Sequence, residues 1–178
     1  TNNILMNNLE KWEQQIVAWN HIHGIRPDVK RQRFFVDCEV KEFQDATGIE
    51  KFYEAGDYAF VIIYYSYLLK KQNEDKTFHS GVIECLNHVR QMGAEKFVDA
   101  VIASNWTKYV HSKYANIDMM SQEAVIVAEK YKGRYKQVVP MRSGDYYFIK
   151  GREQDDQGEW HEKVLKPSTF KEAKYFIK

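Results

Sequence analysis

The sequence predicts a mainly α fold, a bundle of four or five helices followed by a small C-terminal antiparallel β-hairpin or meander. Before about residue 132, apolar residues recur at helical steps of three and four; after it, their spacing is closer to alternation. The 178-residue chain contains only 9 Gly and 3 Pro, too few for a turn-rich all-β fold. We therefore expect a helical bundle over residues 1–132 and a β-hairpin appendage, packed on the same domain, over residues 133–178.

Amphipathic stripes and stop signals place the first three helices. The first helix is predicted to end before Pro27 and to bury one apolar stripe, formed by Leu5, Leu9, Trp12, Ile16 and Trp19. A second helix is expected from about Lys30 to Ala46. The pattern at residues 47–50 resembles a capping box and predicts that a long third helix begins at Gly48 and ends near Lys71.

The rest of the chain is predicted from its turn signals and apolar spacing. Three further helical segments are expected at about residues 82–93, 94–111 and 118–131. The hairpin and meander are then expected from strands at 137–139, 146–149 and 160–165, with turns at 142–145 and 155–158 and a short terminal helix over 170–178.

Composition excludes several classes of protein. Lys and Arg number 26 and Asp and Glu number 25, so the formal net charge of +1 argues against a protein that grips nucleic acid by charge alone. No stretch reaches the ~18 apolar residues of a membrane span, and no secretory signal is recognised. Cys38 and Cys85 lie in apolar periodic segments and are expected to be reduced. We expect a cytoplasmic protein that binds neither nucleic acid nor membrane.

Four acidic residues lie on helix faces that should be buried. Glu39 and Glu42 are three residues apart and share the stripe that Phe35 begins. Glu54 and Asp57 share a line on the third helix, whose apolar residues spread around almost the whole circumference. Because a helix that is apolar nearly all round is a buried one, these acids are expected to point into the bundle or its mouth.

Carboxylates that converge in a partly buried site need compensation. Two unit charges ~4 Å apart repel by roughly 4 kcal/mol at an effective dielectric constant near 20. Protonation, pairing with basic side chains, or bound cations can relieve this repulsion. A purely oxygen ligand set suits Mg²⁺ or Mn²⁺, which commonly share their coordination with substrate phosphates. A diiron site would need Glu-x-x-His pairs, which these motifs lack, and solvent-exposed acids are the remaining alternative.

The acidic motifs resemble a known family. Glu39-Val-Lys-Glu42, eleven residues, then Glu54-Ala-Gly-Asp57 is similar to the E-x-x-E and E-x-x-D signature of all-α nucleoside triphosphate pyrophosphohydrolases, which include MazG-like proteins, dimeric dUTPases and phosphoribosyl-ATP pyrophosphohydrolases. The segment 104–108, Ser-Asn-Trp-Thr-Lys, resembles the S-N-x-x-K motif of the MazG-like branch often encoded by phages. The segment 163–167, Lys-Val-Leu-Lys-Pro, resembles its C-terminal motif, with Glu162 where Gly is usual.

The resemblance implies a fold, a reaction and a set of roles. The fold is the all-α NTP-pyrophosphatase bundle, and the reaction is the Mg²⁺-dependent cleavage of a (deoxy)nucleoside triphosphate into monophosphate and pyrophosphate. The metal-binding and catalytic residues are then Glu39, Glu42, Glu54 and Asp57. The implied substrate-binding residues are Asn105, Lys108 and Lys166. Relatives form dimers or tetramers, so a homodimer or homotetramer is expected.

Two alternatives stay open at this stage. The same helical fold can lack catalysis and serve as a nucleotide-binding or protein-interaction scaffold. A different hydrolytic substrate, such as phosphoribosyl-ATP or an alarmone, is also compatible with the acidic motifs.

Overall fold

The described part of the chain, residues 2–73 and 77–178 of this computed structural model, contains six α-helices and four β-strands. Side chains are described from residue 6 onward within these ranges. The helices are α1 (Asn2–Ile22), α2 (Val29–Asp45), α3 (Gly48–Asn73), α4 (Ser80–Met92), α5 (Glu95–Trp106) and α6 (Ile117–Lys130). The strands are β1 (Val110–His111), β2 (Tyr135–Ser143), β3 (Tyr146–Gln154) and β4 (Trp160–Leu165).

The chain folds into two compact units. Segments Asn20–Ile25 and Asn105–Lys171 form one of them, called the sheet unit below. The other, called the helical unit, comprises the remaining described residues, including most of α1 and α5 and all of α2, α3 and α4. The division into domains at residues 1–132 and 133–178 remains a prediction about how the chain is organised.

The core of the helical unit follows the amphipathic stripes seen in the sequence. In α1, Leu9, Trp12, Ile16 and Trp19 are all buried, as predicted, while the side chain of Leu5 lies outside the described part. The Trp12 indole N–H donates to Asp99 Oδ1 at 2.8 Å, so the large ring is buried without leaving its donor unsatisfied. This bond joins α1 to α5.

Helices α2 and α3 form a hairpin with a very short link. Asp28 caps α2 by accepting hydrogen bonds from the Lys30 and Arg31 backbone N–H groups. Helix α3 begins at Gly48 as predicted, and the positive φ of 60° at this residue suits glycine. Between the helices, the buried Gln32 side chain donates to the Val61 carbonyl oxygen at 2.8 Å. These contacts fix α2 against α3.

The sheet unit is built on a four-stranded antiparallel sheet. Strand β3 pairs along most of its length with β2. It also pairs with two shorter strands, with β1 near its start and with β4 further along. The register pairs Ser143 with Tyr146 in the β2–β3 hairpin and Gln154 with Trp160 in the β3–β4 hairpin, so both predicted turns are confirmed. A bulge between Lys136 and Val139 interrupts the β2–β3 ladder.

The predicted fold class, a bundle of four or five helices with a small hairpin or meander, is wrong. The described chain has six α-helices, and the last of them packs on a four-stranded sheet, not on a helical bundle. Its buried face joins the sheet in one apolar cluster formed by Met120, Ala124, Val127, Tyr147, Ile149 and Leu165. Apolar periodicity shows that a helix has a buried face, but it does not reveal whether that face meets helices or strands.

Two boundaries in the second half of the chain also differ from the prediction. Helix α5 ends at Trp106, not at His111, because the chain turns there and the Lys108 and Tyr109 N–H groups bond to carbonyls only three residues back. Val110 and His111 instead form strand β1, which is too short to show alternation. At the C-terminus only a 3₁₀ turn, Ala173–Phe176, is helical.

Among the described helices, none combines the length and apolar character needed to cross a bilayer.

Candidate metal-binding site

Three of the four predicted acids meet in the helical unit. Glu39 and Glu42 project from α2 and Glu54 projects from α3, and one carboxylate oxygen of each lies within 4.8 Å of the other two. Residues three apart on a helix share a face, which aligns Glu39 with Glu42. The short link between Asp45 and Gly48 turns the chain back so that Glu54 faces them.

The three acids differ in their exposure to solvent. Glu39 and Glu54 are half-buried, whereas Glu42 is exposed. Glu54 has interactions within the protein, while its Oε2 atom is buried and accepts no hydrogen bond within the described chain. Asp57, one turn further along α3, is half-buried but does not join this group of mutually close oxygens. A metal role for Asp57 stays a prediction.

Repulsion between the close carboxylates adds an energetic cost that nearby positive charge offsets. Carboxylates ~4 Å apart repel by roughly 4 kcal/mol at an effective dielectric constant near 20, and partial burial reduces screening by water. A divalent cation between them would replace repulsion with attraction. The donor set contains only carboxylate oxygens, which are the ligands that Mg²⁺ and Mn²⁺ prefer. The three glutamates therefore fit a hard divalent cation.

Aromatic residues fill the space between the two helices of the hairpin. The Phe43 ring lies 5.9 Å from the Tyr58 ring and 5.4 Å from the His88 ring, measured between centroids. Burial raises the pKa of Tyr58 to about 12, so its hydroxyl stays neutral at physiological pH and adds no negative charge. The negative charge near the hairpin therefore comes from the carboxylates.

Lys51 ties the two helices together beside the acids. Its Nζ donates to the Phe43 carbonyl oxygen at 2.9 Å and to the Ala46 carbonyl oxygen at 3.5 Å, and it lies 4.4 Å from the centre of the Phe43 ring. A cation at the last carbonyls of α2 also complements the negative end of the helix dipole. Lys51 thus fixes the end of α2 that carries Glu42 against the start of α3.

Replacing Lys51 with Met should loosen this hairpin. The substitution removes hydrogen bonds from a charged donor, which we expect to lower the free energy of unfolding by about 1–2 kcal/mol. Because Glu42 and Glu54 are then held less firmly together, the affinity for Mn²⁺ should fall about fivefold. Urea unfolding and Mn²⁺ titration measure the two effects.

Two further variants control for the lost charge. Lys41→Met removes an exposed lysine from α2 and should change the unfolding free energy by less than about 0.5 kcal/mol. Lys51→Arg keeps a donor at the α2 carbonyls and should restore most of the Mn²⁺ affinity. Equal behaviour of Lys51→Met and Lys41→Met would show that the carbonyl contacts do not position the acids.

Gly56 lies between Glu54 and Asp57, at a point where α3 packs closely on α5. A Cβ atom at this residue would lie 2.6 Å from Val101 Cγ2 and 2.8 Å from the Phe97 carbonyl oxygen. The aromatic rings of Phe52 and Tyr53 also pack on the Phe97 ring, each with centroids 5.1 Å apart. Glycine therefore allows the close approach that sets the position of the acidic turn of α3.

The sequence interpretation missed both Lys51 and Gly56. A lysine in the first turn of a helix is unfavourable for the dipole of that helix. Because Lys51 follows a short link, its sequence position could have indicated a contact with the end of the preceding helix. A glycine inside an otherwise apolar helix often marks a close backbone approach, which was the signal for Gly56. Neither residue is one of the acids of the pattern, although Gly56 occupies a position between two of them.

The predicted substrate-binding residues all lie in the sheet unit. Asn105 is buried near the end of α5, and the half-buried Lys108 follows in the turn after it, outside the helix that was predicted to continue to residue 111. Lys166 is exposed after β4, with its Nζ 4.9 Å from the centre of the Phe170 ring. Their contact with a nucleotide stays a prediction.

A second group of possible ligands occurs in the β3–β4 turn. Asp155, Glu159 and His161 each place one side-chain ligand atom within 4.8 Å of the others. His161 donates to Asp155 Oδ2 at 2.7 Å, which lowers the pKa of the Asp155 carboxyl. Asp155 Oδ1 accepts from the Gln157 and Glu159 N–H groups. These bonds account for the group as a hairpin-stabilising network.

Comparisons with protein-family models, with curated proteins and with solved structures find no match for this chain.

Proposed function

We propose that this protein hydrolyses (deoxy)nucleoside triphosphates to monophosphate and pyrophosphate with the help of Mg²⁺. The observation that carries the proposal is the meeting of the Glu39, Glu42 and Glu54 carboxylates within 4.8 Å. The motif resemblance to MazG-like pyrophosphohydrolases supplies the reaction class, and the all-oxygen donor set supports the metal. We propose the same metal-binding and catalytic role for Asp57.

The proposal gives the glutamates and the substrate-contacting residues different roles. Glu39, Glu42 and Glu54 would hold Mg²⁺, with Mn²⁺ as a substitute. When bound, the metal supplies positive charge that offsets the triphosphate and favours deprotonation of water. A carboxylate of the group accepts a proton from the attacking water. The water oxygen then bonds to phosphorus, and pyrophosphate leaves as its own P–O bond to that phosphorus breaks. Asn105, Lys108 and Lys166 keep the substrate-contact roles that their motifs imply.

A panel of nucleoside triphosphates tests the proposal. Purified protein with Mg²⁺ should release pyrophosphate and monophosphate in equal amounts, and excess EDTA should stop the reaction. A Glu39→Gln, Glu42→Gln double variant is the control for contaminating phosphatases. Release of orthophosphate without pyrophosphate, or no turnover of any triphosphate, would contradict the proposed reaction.

A thermal melt distinguishes catalysis from a binding scaffold. A ligand that binds only the folded state stabilises it by RT ln(1 + [L]/Kd), about 2.7 kcal/mol at a hundredfold excess over Kd. We expect millimolar Mg²⁺ to raise the melting temperature, and nucleotide to raise it further. Stabilisation by both ligands without turnover would favour the nucleotide-binding scaffold over the enzyme.

A further inference from the structure

The outward face of α6 exposes large apolar side chains. Val125 is 69% exposed, Ile126 is 53% exposed and Met119 is 51% exposed, although the opposite face of the same helix is buried on the sheet. Val125 and Ile126 are adjacent, and Met119 lies two turns before Ile126 on nearly the same line of the helix. Contiguous exposed apolar side chains of this size mark interaction surfaces.

Polar side chains flank Val125 and Ile126 on the exposed face. At 100° per residue, Gln122 and Glu129 fall on the same line as Val125, one turn before it and one turn after it. Asp118 continues this line at the start of the helix. An apolar centre with a polar rim is the usual composition of a protein–protein interface. The face is therefore suited to a protein partner.

We propose that this face binds a second copy of the chain, with the two α6 helices packed antiparallel around a two-fold axis. An axis between Val125 and Ile126 brings Val125 against the partner's Ile126, and the reverse contact follows by symmetry. The same register places Gln122 opposite the partner's Glu129, where the amide can donate to the carboxylate. Apolar side chains meet at the centre and polar groups meet at both ends.

The distribution of charge on α6 favours this partner and this orientation. Asp118 lies at the N-terminal end of the face, and Lys130 and Lys132 lie at or just beyond its C-terminal end. An antiparallel copy brings Asp118 towards the partner's Lys130 and Lys132, keeps Glu129 opposite the neutral Gln122, and opposes the two helix dipoles. A parallel copy would bring like charges together. The face is thus complementary to itself, which is the requirement for an isologous dimer.

The size of the face sets the expected strength. Helix α6 has 14 residues and is therefore about 21 Å long. A standard interface buries about 800 Å² on each partner, more than one face of such a helix supplies. We therefore expect a reversible dimer that dissociates at about 10–100 µM.

Sedimentation velocity of the full chain tests the interface. Between about 1 µM and 1 mM the wild type should pass from monomer to dimer. Val125→Lys and Ile126→Lys should each raise the dissociation constant by at least about tenfold, because every change occurs twice across the axis. Ile83→Lys on α4, where the side chain is 44% exposed, is the matched control and should change nothing.

Three results would overturn the interface. They are a monomer at every concentration up to 1 mM, association unchanged by both α6 variants, or equal weakening by Ile83→Lys. Circular dichroism melts confirm that each variant is folded. The measurement needs no nucleotide or metal, so its outcome is independent of the proposed hydrolysis.

A charge swap tests the orientation. Asp118→Lys and Lys132→Asp should each weaken the dimer severalfold, and the double variant should regain wild-type affinity because opposite charges again meet. A double variant as weak as the product of the two single effects would exclude the antiparallel arrangement.

Discussion

Glu54→Gln is expected to abolish nucleotide turnover without harming the fold. Glutamine keeps the size and shape of glutamate but loses the negative charge that the site needs to hold a divalent cation. Turnover should fall by at least about a thousandfold, because losing the metal removes most of the charge stabilisation of the transition state. Steady-state pyrophosphate release at saturating Mg²⁺ measures this loss.

The same variant should be as stable as the wild type, or more stable, in EDTA. One of three mutually repelling carboxylates has been neutralised, and carboxylates at this spacing cost up to a few kcal/mol in a partly buried site. Glu50→Gln, an exposed change in the first turn of the same helix, is the matched control: it should leave turnover unchanged and lower stability by less than about 1 kcal/mol, through the lost interaction with the helix dipole. Turnover retained by Glu54→Gln would remove Glu54 from the site.

Gly56→Ala is expected to damage both the fold and the site. Alanine is favoured over glycine in a helix by about 1 kcal/mol, so this change stabilises most helices. Here the new methyl group would meet Val101 Cγ2 at 2.6 Å and the Phe97 carbonyl oxygen at 2.8 Å. A backbone carbonyl cannot move aside as a side chain can, so α3 must shift. We expect a net loss of about 2 kcal/mol in unfolding free energy.

The shift of α3 should also displace Glu54. A misplacement of about 1 Å can reduce catalysis by about a hundredfold, so turnover in Gly56→Ala should fall by one to two orders of magnitude. Gly81→Ala is the matched control, because its nearest new contacts are side-chain atoms of His79 at 3.1 Å and Ile62 at 3.4 Å. A Gly56→Ala protein as stable and active as Gly81→Ala would refute the close-packing argument.

The sequence predicts clearly which acids share a helix face, but only weakly which of their carboxylates come close together. Glu39 and Glu42 share a face by spacing alone, and the short link predicts that α3 returns beside α2. These features predict that the acids of the two helices lie close together, and one carboxylate oxygen each of Glu39, Glu42 and Glu54 does lie within 4.8 Å of the others. Asp57 has the same helical spacing from Glu54, yet it lies outside the close group, because a side chain's reach depends on rotamers that spacing does not specify.

The sheet unit was predicted less well for a different reason. The hairpin turns around Gly144 and Gly158 were predictable from local sequence, since both glycines adopt positive φ. Strand β1 pairs with β3 across a long sequence separation, and its two residues carry no periodic signal of their own. The apolar spacing predicts that α6 is a helix. It does not predict that this helix packs on strands, because the packing partner is set by the tertiary fold.

Direct binding of Mn²⁺ is the most direct test of the central claim that these glutamates bind a divalent cation. The electron paramagnetic resonance signal of free Mn²⁺ is lost on binding, so titration counts sites without any assay of activity. The wild type is expected to bind at least one Mn²⁺ with a dissociation constant below about 1 mM, in competition with Mg²⁺. The triple variant Glu39→Gln, Glu42→Gln, Glu54→Gln should lose that site while staying folded. Equal binding by both proteins, or none by the wild type at millimolar Mn²⁺, would contradict the account.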